Sequence, residues 1–361
     1  MNVRTRRDFL KLAGAGAAGV AFLGACGGQG AGGLQQVKVG MSAFQDVNTL
    51  YVGDEKGFFE DEGIELEYLR TDWPGANELL TGKKVDIATS SDADIILQNA
   101  QEHATTLAFP LYYFAGGGLM YNPDRFDWKT FEEIKTETQE DDKEAVRRTL
   151  EQAKGKKIGV SAGGGEYATF IGMLDYAGLS ANDYQIIDLA QEELPPALVS
   201  GSIDGMISGI PQRLAVIDEG YKTLIDQTAL PSTIVHAGFG AQRKWVDENP
   251  ELAAKIQKVI FKTLTYIENN PNEAFPIISD KLQEGGTKMS TEDLKKIWND
   301  MEFFLANKEE YKQEVVNPNG RFYWRDRFSA TVKNLEETGE IQDLQVPLEK
   351  LNYGSKVVED S

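Results

Sequence analysis

Leu80-Thr81-Gly82-Lys83-Lys84-Val85-Asp86-Ile87-Ala88 and Val199-Ser200-Gly201-Ser202-Ile203-Asp204-Gly205-Met206-Ile207 are one construction met twice in the chain. Each reads as a helix end, a glycine, and a strand opened by an aspartate. Glycine is expected to supply the left-handed residue that stops the helix, and the apolar residues that follow enter a buried strand. The repetition predicts two similarly built lobes. Outward from it, strand-like runs lie at Val37–Met41, Ile64–Leu69, Val85–Thr89, Ala104–Phe109, Lys157–Ser161, Tyr184–Leu189, Gly205–Ser208 and Lys222–Ile225. Amphipathic helical runs separate most of them, which is the pattern of an α/β fold with mostly parallel sheets. The period is clearest over Glu251–Ile267, where Ile256, Val259, Ile260, Leu264 and Ile267 share a face and Pro250 stands at the start. From there to the C-terminus the pattern is mainly helical. These runs divide the chain into residues 36–115 plus 236–361 as lobe I and 116–235 as lobe II, with a charged, solvated helical insertion at about 122–155.

The N-terminus is a targeting segment. Arg4, Arg6 and Arg7 precede an apolar stretch from Phe9 to Leu23 that is rich in Gly and Ala and broken by Lys11. Arg6-Arg7-Asp8-Phe9-Leu10-Lys11 resembles a twin-arginine export signal, and Leu23-Gly24-Ala25-Cys26 resembles a lipobox whose thiol carries lipid. The stretch is short for a hydrocarbon core about 30 Å thick, which argues against an uncleaved anchor. Residues 1–25 are therefore expected to be a removable signal, Cys26 a lipidation site, and 26–35 a flexible tether. The protein is expected outside the cytoplasmic membrane, attached to its outer face only through lipid.

Cys26 is the single cysteine of 361 residues, so neither an internal disulfide nor a cysteine-based metal cluster is available. Gly14-Ala15-Gly16-Ala17-Ala18-Gly19 matches a dinucleotide fingerprint, but it sits inside the signal with no strand before it. The glycine runs at 116–118 and 163–165 lack the Lys-Ser/Thr ending of a phosphate loop. The formal charge is −20, and removing four basic groups and Asp8 with residues 1–25 leaves −23. Such a surface repels nucleic acid and anionic headgroups. His103 and His236 are the only histidines, and no catalytic triad order or His-x-x-x-His spacing occurs. No catalytic residue, metal or cofactor is expected.

Leu50-Tyr51-Val52-Gly53-Asp54-Glu55-Lys56-Gly57-Phe58-Phe59-Glu60-Asp61-Glu62-Gly63-Ile64-Glu65-Leu66-Glu67 resembles the hallmark of the sulfonate, nitrate and thiamine-precursor branch of ABC transporter solute-binding proteins. Supporting matches are Gly82–Ala88, Gly155-Lys156-Lys157-Ile158-Gly159-Val160, Ala177-Gly178-Leu179, and Asn249-Pro250-Glu251 after a return strand. The resemblance implies a two-lobed type II periplasmic-binding-protein fold, each lobe a central mostly parallel sheet flanked by helices. It also implies a cleft that closes on a small ligand by hinge motion, and partnership of a monomer with a permease and its ATPase. An enzyme of the same fold, the pyrimidine synthase of thiamine biosynthesis, resembles the chain too, but its cysteine-rich motif is absent.

In open α/β sheets the loops at the carboxyl ends of strands converge on the binding crevice. Here those loops are 42–48, 71–77, 90–94, 110–116, 161–167, 190–194 and 208–212. The ligand-binding candidates they hold are Phe44, Asp46, Trp73, Ser90, Ser91, Asp92, Tyr113, Gly164, Gly165, Glu166, Tyr167, Glu193 and Gln212. For any one carboxylate, capping or solvation stands beside ligand contact, and Trp73 before Pro74 stands equally as packing. Aromatics with carboxylates suit a flat heterocycle bearing an amine. The ligand expected is a thiamine-type pyrimidine, then another heteroaromatic such as a flavin, then a sulfonate or nitrate.

Overall fold

The computed structural model describes residues 33–359, apart from 139–140, 162–164, 231–233, 338 and 343. The signal, Cys26 and most of the tether lie outside the described residues, as does Gly164. The strands are β1 (Gln35–Ser42), β2 (Ile64–Thr71), β3 (Ile87–Ser91), β4 (Thr105–Phe114), β5 (Gly118–Tyr121), β6 (Lys157–Val160), β7 (Gln185–Asp188), β8 (Gly205–Ser208), β9 (Lys222–Asp226), β10 (Val235–Gln242) and β11 (Glu302–Phe304). They form two sheets, one of order β2-β1-β3-β10-β4-β11 and one of order β7-β6-β8-β5-β9.

Both sheets are mixed, and for the same reason. In each, three strands pair in parallel, β2-β1-β3 and β7-β6-β8. The next position is taken by the strand arriving from the other lobe, β10 in the first and β5 in the second, and it runs antiparallel to both neighbours. Glycines interrupt the apolar pattern at β10 and stand before and at the start of β5, so neither has a plain strand signature in the sequence. In β10 a Cβ on Gly238 would collide with Phe109 O of the adjoining strand, so the glycine is a condition of the pairing.

The two echoing segments fold alike, with one shift of register. Lys83 N–H donates to Leu80 O (3.0 Å) and Lys84 N–H to Leu79 O (2.9 Å), while Gly201 N–H donates to Leu198 O (3.1 Å) and Ser202 N–H to Ala197 O (3.0 Å). These are matching helix stops of the kind that needs one left-handed residue. In lobe II that residue is Gly201 at φ +76°, as expected. In lobe I it is Lys83 at φ +56°, one place after the glycine, so Lys83 and not Gly82 is the counterpart of Gly201. The shift aligns Asp86 with Asp204, and both aspartates do the same work. Asp86 Oδ2 accepts from Lys38 N (2.8 Å) and Asp204 Oδ2 from Lys157 N (3.0 Å), each tying its strand to the central strand of the parallel trio in its sheet.

The helix Pro250–Asn269 buries Ile256, Val259, Ile260, Leu264 and Ile267 in the first lobe's core, beside Val37, Val39 and Leu50. The charged stretch after Asn122 is more than a solvated insertion. Its helices Phe131–Glu137 and Asp142–Glu151 bury Phe131, Ile134, Ala145, Val146 and Leu150 in the second lobe's core and turn their charges outward. The C-terminal helices cover the other face of the first sheet, where Tyr311, Trp324 and Phe328 pack with Ile95, Leu107 and Tyr113.

His236 is enclosed in that packing. Its ring stacks on Tyr113 (centroids 4.2 Å apart) and meets the edge of Phe328, and its Nδ1 lies 3.3 Å from Tyr113 Oη. Burial first, then the Arg327 charge, push its pKa down to about 3. The unfolded chain therefore takes up this proton first. The stability that neutral His236 supports is complete above its ordinary value and is lost as pH falls from about 6.5 toward 3. His236→Phe, which keeps the stack, should remove about 2 kcal/mol of the stability lost between pH 7 and pH 5. Denaturant unfolding of both proteins at the two pH values checks this, and equal losses would refute it.

Candidate functional site

The strand ends of the two lobes enclose a cavity of about 490 Å³. Each of the seven strand-end loops contributes at least one lining residue. Of the sequence candidates, Phe44, Asp46, Trp73, Ser91, Glu166 and Gln212 line it. Ser90, Asp92, Tyr113, Tyr167 and Glu193 do not, and strand alternation accounts for Tyr113. Tyr112 and Phe114 face the cavity, so Tyr113 between them points into the far side of the sheet. Val235 and Ala237 face it in the same way, which turns His236 away. Ser90 is buried and donates to Asn77 Oδ1 (2.9 Å), and Asp92 is buried and accepts from Thr331 Oγ1 (2.9 Å). Burial lifts the pKa of Asp92 to about 7.

Tyr167 packs on the second lobe's core. Glu193 is exposed and accepts from Ala190 N (3.1 Å), which is the capping alternative. Gly165 opens the helix Gly165–Ala177. Gln45, Asp94, Tyr112, Phe114, Gln191, Gly209, Ile210, Val235 and Ala237 line it without having been selected. Asp94 had a signal, since Ser91-Asp92-Ala93-Asp94 in the form Ser-x-x-Asp is a capping pattern; Val235 and Ala237 had none.

One wall is aromatic. Phe44, 49% exposed, meets Trp73 edge to face at 5.8 Å. Tyr112 stacks on Phe304, which stacks on Trp298, so its ring is held from behind. The polar part is acidic. Asp94 Oδ2 accepts from Trp73 Nε1 (2.8 Å), Ser91 Oγ (2.7 Å) and Ser91 N (2.9 Å). Asp46 Oδ1 accepts from Val47 N (2.6 Å), and burial raises its pKa to about 6 against the opposing bonds from Tyr112 and the backbone. Glu166 Oε2 accepts from Gln191 Nε2 (3.4 Å), and a Cβ on Gly209 would lie 2.7 Å from its Oε1, so only glycine lets this carboxylate come so close to the start of the helix Ile210–Ile217.

Among the described residues that line the cavity there is no Lys, Arg or His. Helix N-termini attract anions, but here the protein's own carboxylates stand at them. Asp94 completes the capping box of the helix Asp92–Ala100, and Asp72 caps the helix Trp73–Thr81. An anionic ligand would meet three carboxylates and no countercharge.

The chain crosses between the sheets after β4 and again after β9, and the two crossings are bonded to each other. Gln227 N–H donates to Gly117 O (3.0 Å), and Gly117 N–H donates to Gln227 Oε1 (2.7 Å). Arg213 is buried beside them rather than in the cavity. Its Nη1 donates to Gly116 O (2.6 Å), and its Nη2 to Thr223 Oγ1 (3.1 Å) and Asp226 Oδ2 (3.4 Å).

A sequence profile of the NMT1-like family matches residues 30–277. A Haemophilus influenzae protein whose name assigns it to thiamine biosynthesis is 25% identical over 270 residues, covering 73% of this chain and 77% of that protein. The periplasmic aliphatic sulphonate binding protein SsuA of Escherichia coli superposes with a TM-score of 0.62 at 12% identity, covering 86% of this chain and 94% of that one. A periplasmic sulfonate-binding SsuA of Methylobacillus flagellatus gives 0.63 at 17%, covering 91% and 94%. The desulfurization enzyme DSZB gives 0.60 at 12%, covering 90% and 99%, so the fold serves both binding and catalysis. The family match covers well over half of the sequence and the superpositions supply the architecture: the chain belongs to the NMT1-like family and has the two-lobed periplasmic-binding-protein fold.

Proposed function

We propose that this protein is the extracytoplasmic solute-binding lipoprotein of an ABC importer and captures a cationic or amine-bearing heteroaromatic molecule of the thiamine-precursor type. The observation that carries this reading is the pairing of an aromatic wall with three carboxylates, and no cation among the described lining residues, in a cavity of about 490 Å³, a size suited to a small ring system. Rings stack on Phe44, Trp73 and Tyr112, and the carboxylates accept from amine hydrogens or face a ring cation. The name of the Haemophilus relative supports the same class. Closure about the paired crossings delivers the loaded form to a permease and its ATPase, with Cys26 carrying the lipid that keeps the protein at the membrane. The ligand is bound and released unchanged. Calorimetric titration of the purified protein should show binding of thiamine and none of an aliphatic sulfonate, with thiamine recovered intact by chromatography. Sulfonate binding without thiamine binding would overturn the ligand class, and steady turnover would overturn the binding role.

A further inference from the structure

One of the three lining carboxylates is tied to the aromatic wall. Asp94 is only partly buried and borders the cavity, and its two oxygens are differently placed. Oδ2 is fully engaged: it accepts from Trp73 Nε1 (2.8 Å), Ser91 Oγ (2.7 Å) and Ser91 N (2.9 Å). Oδ1 has no donor among the described residues and is not enclosed by them. Asp46, by contrast, is 4% exposed, and Glu166 meets Gln191 Nε2 at 3.4 Å, near the limit of a hydrogen bond. Three donors on one oxygen fix the plane of the Asp94 carboxylate, and with it the direction of the Oδ1 lone pairs. The indole N–H lies in the plane of its ring, so the carboxylate it points to stands at the edge of Trp73. A heterocycle laid on the indole with an amino group at that edge presents an N–H to Oδ1.

We infer that Asp94 Oδ1 is the atom by which the site chooses an amino group over an oxo group on the bound ring. The inference rests on the amine-bearing-ligand reading and names the specificity-determining residue within it. A carboxylate can only accept. An amino hydrogen satisfies it, whereas an oxo oxygen in the same place sets lone pairs against lone pairs and leaves both groups without a donor. A site built on such a bond rejects the analogue lacking the donor far more strongly than an apolar pocket rejects a change of size. Charge cannot make this choice, because it acts alike on two ligands of equal charge. The same three donors dictate what an amide would do here. In Asp94→Asn, Trp73 Nε1, Ser91 Oγ and Ser91 N each still bring a hydrogen, so the amide oxygen takes the place of Oδ2 and the NH2 group that of Oδ1. The atom offered to the ligand turns from acceptor to donor, while the bonds to Trp73 and to the cap of the helix Asp92–Ala100 are kept.

The test is titration calorimetry of the whole mature protein, wild type and Asp94→Asn, with thiamine and with oxythiamine, in which an oxo oxygen replaces the ring amino group and the thiazolium charge is unchanged. The wild type should bind thiamine about tenfold or more tighter than oxythiamine, and Asp94→Asn should reverse the order. A variant that loses affinity for both ligands in proportion, and so keeps the thiamine preference, shows Asp94 to be structural only and overturns the inference. So does a wild type that binds thiamine without distinguishing the two. In both cases the ligand class stands, whereas a wild type that binds neither ligand overturns the ligand class and the inference together. Should Asp94→Asn fail to fold, Asp94→Ala, which removes both oxygens, supplies the second reading: its preference for thiamine should vanish, and a retained preference refutes the assignment.

Discussion

Replacing Arg213 with alanine should lower the stability of the empty protein by about 3 kcal/mol or more, the range measured when one member of a buried, hydrogen-bonded charge set is removed. Arg213 sits where the lobes join, and its guanidinium satisfies Gly116 O on one crossing and Asp226 Oδ2 at the start of the other. Truncation leaves a buried carbonyl and a half-buried carboxylate without their donor and opens a void under the triple glycine. Burial lowers the guanidinium pKa and the Asp226 charge raises it, so the contacts hold an arginine that the site alone would disfavour. Denaturant unfolding gives the loss directly. A loss below 1 kcal/mol would mean that solvent reaches Arg213 freely and that the crossings are held by Gln227 alone. Arg213→Lys should recover only part of the loss, because an ammonium cannot serve both crossings with a planar fork.

Trp73→Ala should weaken thiamine binding by about 30-fold or more, about 2 kcal/mol, as expected for a buried aromatic anchor in a recognition site. Trp73 has two roles. Its ring forms the wall with Phe44, and its indole N–H is one of three donors on Asp94 Oδ2. It also packs partly against the first lobe's core, so the empty protein should melt somewhat lower. Trp73→Phe separates these effects, since it restores the ring and not the donor: affinity should return most of the way. If Trp73→Phe binds as weakly as Trp73→Ala, then the Asp94 bond and not stacking dominates. If Trp73→Ala binds normally while melting lower, Trp73 is packing and the aromatic wall has been misread.

The convergence of strand-end loops on one cavity was legible in the sequence because strand direction and loop position follow from the βαβ pattern, and all seven loops reach the cavity. Which residue within a loop turns inward was not. Tyr112 and Tyr113 differ by one place and by the whole thickness of the sheet, because side chains alternate across a strand and the register of β4 is set by pairing with β10, more than 120 residues away. Glu193 and Asp94 are reversed roles of the same kind. Both cap turns, yet Asp94 does so at a helix that starts inside the cavity and Glu193 at a turn on the surface.

What the sequence determined by itself is local or repetitive in origin: two lobes from the doubled helix–strand segment and the buried face of Glu251–Ile267 from its period. Those properties depend on residues within a few places of one another. The mixed sheets and the arginine at the crossings depend on contacts between residues as far apart in the chain as Phe114 and Glu302, and no local pattern encodes them. Whether Lys83 or Gly82 takes the left-handed position was likewise decided by the fold, because Asp86 must reach Lys38 N, and that bond sets where the helix before it has to stop.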